Sequence, residues 1–387
     1  MTSAASLAPT ADLASFRARF PALERVVYLD TASAAPGAAP VVEALHRAER
    51  EWQSGVFSWR AWESEAHATR ALFARLVGGD ERDVALRPTL SDAVATVARS
   101  LPPGKVVVGE REFRSNLFPW LQLRERGREV VVVPAADGVV RGEALARAVD
   151  EGTALVAVTE VQSSNGFRVR LADLTARCRA VGARLFVNLT QSLGALRFDG
   201  AAVRPDFAAA TSYKWLIGVR GAAWLYVRPD RLAEVEPLAP NWKSTSEPYA
   251  DYYGVAAAPT ENDPGLDLAP DARRLDTSLG WFPWIGSRAG LELLSTLDAA
   301  AVEERCLALA RAFRADAARA GCELVPEEVP SHIVGVRLPD PDGVKARLAQ
   351  RRVIAAVRGG TLRIGFHAFN DDGDAEAALA ALRRAGP

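Results

Sequence analysis

The sequence is poor in the residues that usually announce metal, redox or nucleic-acid chemistry. Its 387 residues include three cysteines, four histidines and one methionine. Cys178, Cys306 and Cys322 lie far apart and form no CxxC pair, which argues against a zinc site and a disulfide framework and leaves them as core thiols. Excess charge is equally scarce, with 47 Lys and Arg against 48 Asp and Glu and a formal net charge of -1. No basic field is available to hold a phosphate backbone or an anionic membrane, so neither nucleic acid nor membrane is an expected partner. The apolar run at Val130–Ala136 falls far short of the roughly 18 residues that a membrane span requires. Met1 to Asp12 lacks the basic start and apolar block of a secretory leader, so a cytoplasmic location is expected. No GxGxxG follows a strand-like run, which weakens any dinucleotide oxidoreductase reading.

What is plentiful is apolar surface. Hydrophobic residues make up 49% of the chain, enough for one large core or two moderate ones. From Lys105 to Val227 short β-rich runs alternate with helical stretches: KVVVG at 105–109, REVVVVP at 128–134, ALVAVTEV at 154–161, RLFVNLT at 184–190, DFAAATS at 206–212 and AAWLYV at 222–227. Such alternation predicts an α/β domain with a mostly parallel sheet and helices on both faces. Leu171 to Val181 carries one apolar face, as a crossover helix needs. Beyond Pro237 the texture becomes loop-rich, and helical periodicity returns at Ser287–Leu297 and Ala300–Ala320. HIVGVRL and the pair VIAAVR and TLRIGF, joined by Gly359-Gly360, predict a smaller α+β C-terminal domain closed by a hairpin. The expected division is a large domain over 20–245, a small one from 1–19 and 265–387, and a loop-rich connection over 246–264.

The sharpest local feature is Thr211-Ser212-Tyr213-Lys214-Trp215, at the end of an apolar run and before Gly218-Val219-Arg220-Gly221. Apolar flanks disfavour a lysine's charged form and prepare its amine to condense with an aldehyde. The segment PDFAAATSYKWLIGVRGAAWLYVRPD at 205–230 resembles the lysine segment of fold-type I, class V pyridoxal 5′-phosphate (PLP) enzymes, the group of kynureninases, cysteine desulfurases and isopenicillin-N-epimerase-like proteins. Further similarity runs in the family's order through YLDTASAAP, EREFRSNLFPW, NLTQSLGAL, RLDTSLGWFPW and VRGGTLRIGFHAFN, over nearly the whole chain.

The resemblance implies PLP as cofactor, held as a Schiff base on Lys214. Ser91, at the start of an apolar helix, is implied as a phosphate ligand, a place where free amides also suit an anion. Thr211 and Tyr213 are implied as further phosphate contacts, and Ser278 or Thr277 as a contact to the phosphate of a neighbouring subunit, in a homodimer with shared sites. Phe113 falls where an aromatic ring stacks on the cofactor, and it stacks without moving protons. Gln191 matches a ligand of the phenolic oxygen. Ser163 replaces the usual asparagine nearby, and Asn165 is an alternative within the uncertainty of register. Arg363 matches the clamp for an amino-acid carboxylate, for which a guanidinium fork is suited. Arg358 reads as a surface charge, and His332 and His367 as structural.

The main departure is at Asn188, where the family has an aspartate that salt-bridges the pyridine nitrogen. An amide brings no charge, so strong carbanion chemistry should suffer. A degenerate homologue and a chemistry needing a weaker electron sink both fit, and the second is preferred. Desulfurase activity requires a thiolate on a loop before the carboxylate arginine, and Glu323 to Arg363 contains no cysteine. The expectation is therefore a lyase or tailoring deaminase acting at Cα or Cβ of an amino acid or cysteine S-conjugate. Aminotransferase or epimerase activity, and a PLP-binding protein without turnover, remain the alternatives.

Overall fold

The computed structural model describes residues 12–250, 252–253 and 265–383. The strands are β1 (Val27–Tyr28), β2 (Val84–Arg87), β3 (Lys105–Gly109), β4 (Val130–Val133), β5 (Thr153–Thr159), β6 (Arg184–Asn188), β7 (Phe207–Thr211) and β8 (Ala223–Val227). After them come β9 (Glu323–Leu324), β10 (Ile333–Arg337), β11 (Val353–Ile354), β12 (Ala356–Arg358) and β13 (Thr361–Gly365). The helices up to the central sheet's last crossover are α1 (Leu13–Arg17), α2 (Ala39–Ser54), α3 (Trp59–Val77), α4 (Leu90–Arg99), α5 (Arg114–Leu121), α6 (Gly142–Arg147), α7 (Leu171–Val181) and α8 (Gly200–Val203). The remainder are α9 (Trp281–Leu294), α10 (Ala299–Arg319), α11 (Pro341–Gln350) and α12 (Asp372–Leu382).

Seven strands form the large sheet in the order β2-β8-β7-β6-β5-β3-β4. Neighbours from β7 through β4 run parallel, and β8 alone runs against its neighbours β7 and β2. Successive side chains of a strand point to opposite faces, so a sheet buried on both sides needs unbroken apolar runs. Val106 and Val108 join Phe186 and Ala209 in a core shared with Val94 and Val97 of α4 and Trp120 of α5. Val107, between them, joins Val156 and Val187 in the opposite core, with Phe73 of α3 and Leu174 and Cys178 of α7. Every residue of β5 is buried. This is the expected mostly parallel sheet with helices on both faces.

A second, four-stranded antiparallel sheet, β12-β13-β10-β9, makes the smaller α+β part, with Phe313 of α10, Leu348 of α11 and Leu379 of α12 in its core. Gly359 and Gly360 form the turn of its terminal hairpin, with φ of 54° and 75° and Arg358 paired with Thr361. Positive φ at both central positions is what a two-residue hairpin turn demands. Strand β1 pairs in parallel with β11, so residues 27–28 pack onto the C-terminal part of the chain. The loop-rich stretch at 246–264 lies partly outside the described residues, and 1–11 and 384–387 lie wholly outside them.

Two elements depart from the sequence reading. Strand β2, four residues ending in Arg87, is too short to show a period, yet it closes one edge of the large sheet. Helix α9 begins at Trp281, six residues before the periodicity that starts at Ser287. Pro283 stands in its first turn, where the missing N–H would have no helical partner anyway, so the proline does not break it.

Candidate active site

Strands β5, β6 and β7 end side by side at Thr159, Asn188 and Thr211, with Thr159 opposite Asn188 and Asn188 opposite Ala209. The C-terminal edge of a parallel sheet is where such folds gather ligands. Lys214 follows β7 in a tight turn closed by bonds from Ile217 N to Lys214 O (3.0 Å) and from Gly218 N to Ser212 O (2.9 Å). Ile217 has φ of 48°, a left-handed conformation that a β-branched residue rarely takes and that marks a constrained turn.

The lysine side chain is 5% exposed. Its Nζ lies 5.5 Å from the centre of the Phe113 ring and 5.7 Å from that of Tyr213. Burial, followed by the cations of Arg363 and Arg358, lowers its pKa to about 7. The next residue anchors the turn: the Trp215 indole N–H donates to Gln191 Oε1 (2.9 Å), and the Trp215 carbonyl meets His367 Nε2 at 2.9 Å. His332 packs edge-on to the same indole at 4.1 Å. Both histidines are buried and held below their usual pKa range chiefly by burial, in agreement with a structural role.

The predicted residues fall into three groups, by the part of the cofactor or substrate to which the resemblance assigns them; Ser91 lines a separate surface cavity beside Arg114 and Phe118. On the phosphate side, Thr89 caps α4, its hydroxyl accepting from Asp92 N at 3.1 Å, and Ser91 stands one residue inside the helix with its hydroxyl 3.1 Å from that of Thr89. Ser91 is therefore not the cap, and its hydroxyl stands beside the unpaired amides of the first turn. Thr211 has a buried hydroxyl without a partner. The half-buried Tyr213 ring lies 5.9 Å from the Arg220 guanidinium carbon.

On the ring side, Gln191 donates from Nε2 to Ala32 O (3.0 Å) and to Ser163 Oγ (2.8 Å) while its oxygen accepts from Trp215. Both Gln191 amide hydrogens have protein acceptors, and the Ser163 hydroxyl that takes one of them keeps its own proton to donate. The Asn165 amide donates to Gly138 O (2.8 Å) and its oxygen accepts from Phe167 N (3.0 Å), fixing the turn. Asn188 is 2% exposed and bonded to Thr159 and Thr190. Sequence reasoning missed Thr190, which carries a buried, unpartnered hydroxyl between Asn188 and Gln191.

On the carboxylate side, Arg363 donates to Asp30 Oδ1 (3.0 Å), to Ser33 Oγ (2.8 Å) and to the Ser163 carbonyl, and its Nε–H has no partner among the described residues. Asp30 and Ser33 were also missed as site residues, although both stand in the YLDTASAAP motif. Arg358 is exposed, as read from sequence, but it reaches Ser33 (3.4 Å) and pushes on the Lys214 pKa. Phe113, Ser163, Arg358 and Arg363 line a cavity of about 1380 Å³ between the two sheets' helices and loops, which also takes in Gly359, Gly360 and Cys322. Cys322 is half-buried and not a fully enclosed core thiol. Ser278 is exposed and does not line this cavity, and the buried Thr277 hydroxyl is unpartnered.

Residues 27–374 match the family model for aminotransferase class V. The chain belongs to the class V aminotransferase family. It is 32% identical over 282 residues to a probable cysteine desulfurase of Methanothermobacter thermautotrophicus, covering 70% of each chain. It is also 28% identical over 298 residues to the isopenicillin N epimerase of Streptomyces clavuligerus, covering 73% of this chain and 70% of the epimerase. Among solved structures, the cystine C–S lyase C-DES in complex with its reaction product cysteine persulfide superimposes with a TM-score of 0.82 at 20% identity, covering 95% of this chain and 100% of that one. The apo cysteine desulfurase of Thermococcus onnurineus NA1 does so with a TM-score of 0.80 at 19% identity, over 94% and 96%. Both likenesses bear out the fold-type I architecture.

Class V aminotransferases are PLP enzymes, which bears out the cofactor expected from the Lys214 segment. The pocket fits it on its own terms: a buried lysine amine of lowered pKa, an aromatic face at Phe113, and an orphaned, buried Thr211 hydroxyl three residues before the lysine. Within the class V family the reaction stays open, since relatives named as desulfurases give no support to setting that activity aside. Among the described residues no helix is long and apolar enough to cross a membrane.

Proposed function

We propose that this class V enzyme is a lyase or tailoring deaminase acting at Cα or Cβ of an amino-acid substrate, by C–S or other β-elimination or by decarboxylation-coupled deamination, and that it works as a cytoplasmic homodimer with shared sites. The observation that carries the reading is the hairpin before Arg363. Its tip is only Gly359-Gly360, so no loop projects from it to bring a thiol towards Lys214. A desulfurase that carries sulfur on its own cysteine needs a mobile nucleophilic thiolate. The thiol that does line the cavity, Cys322, sits just before strand β9, and burial raises its pKa, away from the thiolate.

The bound cofactor supplies the electron sink for breaking a bond at Cα. The chain's residues do the rest. Arg363 offers its unpartnered Nε–H to the substrate carboxylate while Asp30 and Ser33 hold the fork in place. Lys214, neutral for a large part of the population near pH 7, takes the proton from Cα and passes it to the group departing from Cβ. Phe113 covers the ring and moves no proton, so proton traffic is confined to the lysine. The cavity is larger than a small amino acid requires and carries Arg111, Arg114 and Arg347 on its wall, which supports an extended substrate such as a cysteine S-conjugate with an anionic tail.

The test is a panel of amino acids and cysteine S-conjugates given to the PLP-loaded protein. Release of ammonia with a 2-oxo acid and a thiol, or of ammonia with carbon dioxide, a thiol and an aldehyde where the carboxylate leaves Cα as the thiol leaves Cβ, is the expected result, along with borohydride-fixed cofactor mass on the Lys214 peptide. Amino-group transfer to an added 2-oxo acid, or racemisation alone, would replace the lyase reading by a transferase or epimerase. Alanine and persulfide from cysteine, lost in Cys322→Ser, would restore the desulfurase.

A further inference from the structure

Asn188 is held by a hydrogen-bond chain whose direction can be worked out from its ends. The backbone N–H of Thr190 only donates, and it lies 3.0 Å from one terminal atom of the Asn188 amide, so that atom is the oxygen, Oδ1. The other atom is then Nδ2, which donates to Thr159 Oγ1 at 3.0 Å. Thr159 is in turn clamped to Glu112: its backbone N donates to Glu112 Oε1 (2.7 Å) and its hydroxyl donates to Glu112 Oε2. Asn116 Nδ2 completes the cluster, 2.8 Å from Glu112 Oε2 and 3.3 Å from Thr159 Oγ1. With its proton on Glu112, the Thr159 hydroxyl presents only lone pairs to Asn188, and the amide cannot turn over without facing oxygen to oxygen and N–H to N–H.

One Nδ2 hydrogen is used by Thr159, and the second is left over, whereas Oδ1 is occupied by Thr190. The only carboxylate in the chain of bonds, Glu112, is two links away, with all three of its neighbours donating to it. We infer that Asn188 is locked as a hydrogen-bond donor and therefore holds the PLP ring with its pyridine nitrogen unprotonated. This inference rests on the cofactor reading above. It goes beyond the loss of a charge, because a fixed donor selects the neutral form of the nitrogen and disfavours the pyridinium, whose own N–H would meet the amide N–H. Thr159 and Glu112 act as positioning residues that hold the amide in register. A neutral ring is a weaker electron sink, which favours substrates whose Cβ bond takes up the electron pair as soon as the Cα bond opens.

The measurement is the nitrogen-15 chemical shift of ring-labelled PLP bound to the protein, referenced to a PLP–amine adduct in acid and in base. The wild-type signal is expected at the unprotonated position and to stay there from pH 6 to 8. Asn188→Asp is expected to move it to the pyridinium position. Bound label already at the pyridinium position in the wild type overturns this inference alone. Absence of label from the protein overturns the cofactor reading and this inference with it. If Asn188→Asp does not fold, the wild-type shift against the two references decides.

Discussion

Lys214 shows how far a single residue is set by its surroundings. With its pKa lowered to about 7, roughly half of the amine is neutral at pH 7, against about one in three thousand for an ordinary lysine at 10.5. Uptake of PLP by the cofactor-free protein should therefore be fast and flat above about pH 7 and slow in proportion to proton concentration below it, as followed by the rise of the visible band. Since a neighbouring cation disfavours the charged lysine, Arg358→Ala should raise the pKa and shift this profile to higher pH. An unmoved midpoint would show that Arg358 does not act on the amine. Lys214, Phe113 and Thr211 were legible because short motifs place them. The pairing of Arg363 with Asp30 joins residues 333 positions apart, and the commitment of both Gln191 hydrogens depends on Ala32 and Ser163. No local pattern carries such information, so the partners of Arg363 and Gln191 could not be read from the sequence.

At the scale of elements, the strands of the central sheet and helix α7 could be read almost to the residue, because burial on both faces forces continuous apolar runs and a crossover helix must present one apolar side. What escaped was short or began against its own composition, namely β2 and the first turn of α9. The β12–β13 hairpin gives the sharpest test at this scale. Neither glycine has a neighbour within 4 Å of where a Cβ would stand, so a substitution there acts through φ alone. Gly360→Val should cost on the order of 1–2 kcal/mol and lower the melting temperature, since a β-branched residue resists positive φ. Gly359→Asn should be nearly neutral, because asparagine tolerates that region. Equal losses in the two variants would mean that the turn is not what constrains the hairpin.

For the whole molecule, the two sheets and their helices share one cavity, and the C-terminal end of α2 with the loop after it carries exposed apolar side chains. Trp52 is 58% exposed and Val56 81%, and Trp52 meets Phe282 at 5.8 Å. Contiguous apolar surface of this kind marks an interaction face. The proposed homodimer accordingly predicts that Trp52→Glu combined with Val56→Glu lowers the sedimenting mass from dimer to monomer; an unchanged mass would place the interface elsewhere. The overall architecture was legible from the alternation of runs, but which residues meet across the cavity was not, because that is decided by how the C-terminal part folds back on the sheet. The two-glycine tip of the β12–β13 hairpin has a consequence for how such a scaffold changes trade. It opens onto the cavity, it is constrained by nothing beyond its own turn, and lengthening it by a dozen residues would cost on the order of 2 kcal/mol of loop-closure entropy. The reactive inventory of the cavity is therefore a matter of how long one surface excursion is, so a lineage can acquire or shed a nucleophile there while the sheet, the lysine and the arginine clamp stay as they are.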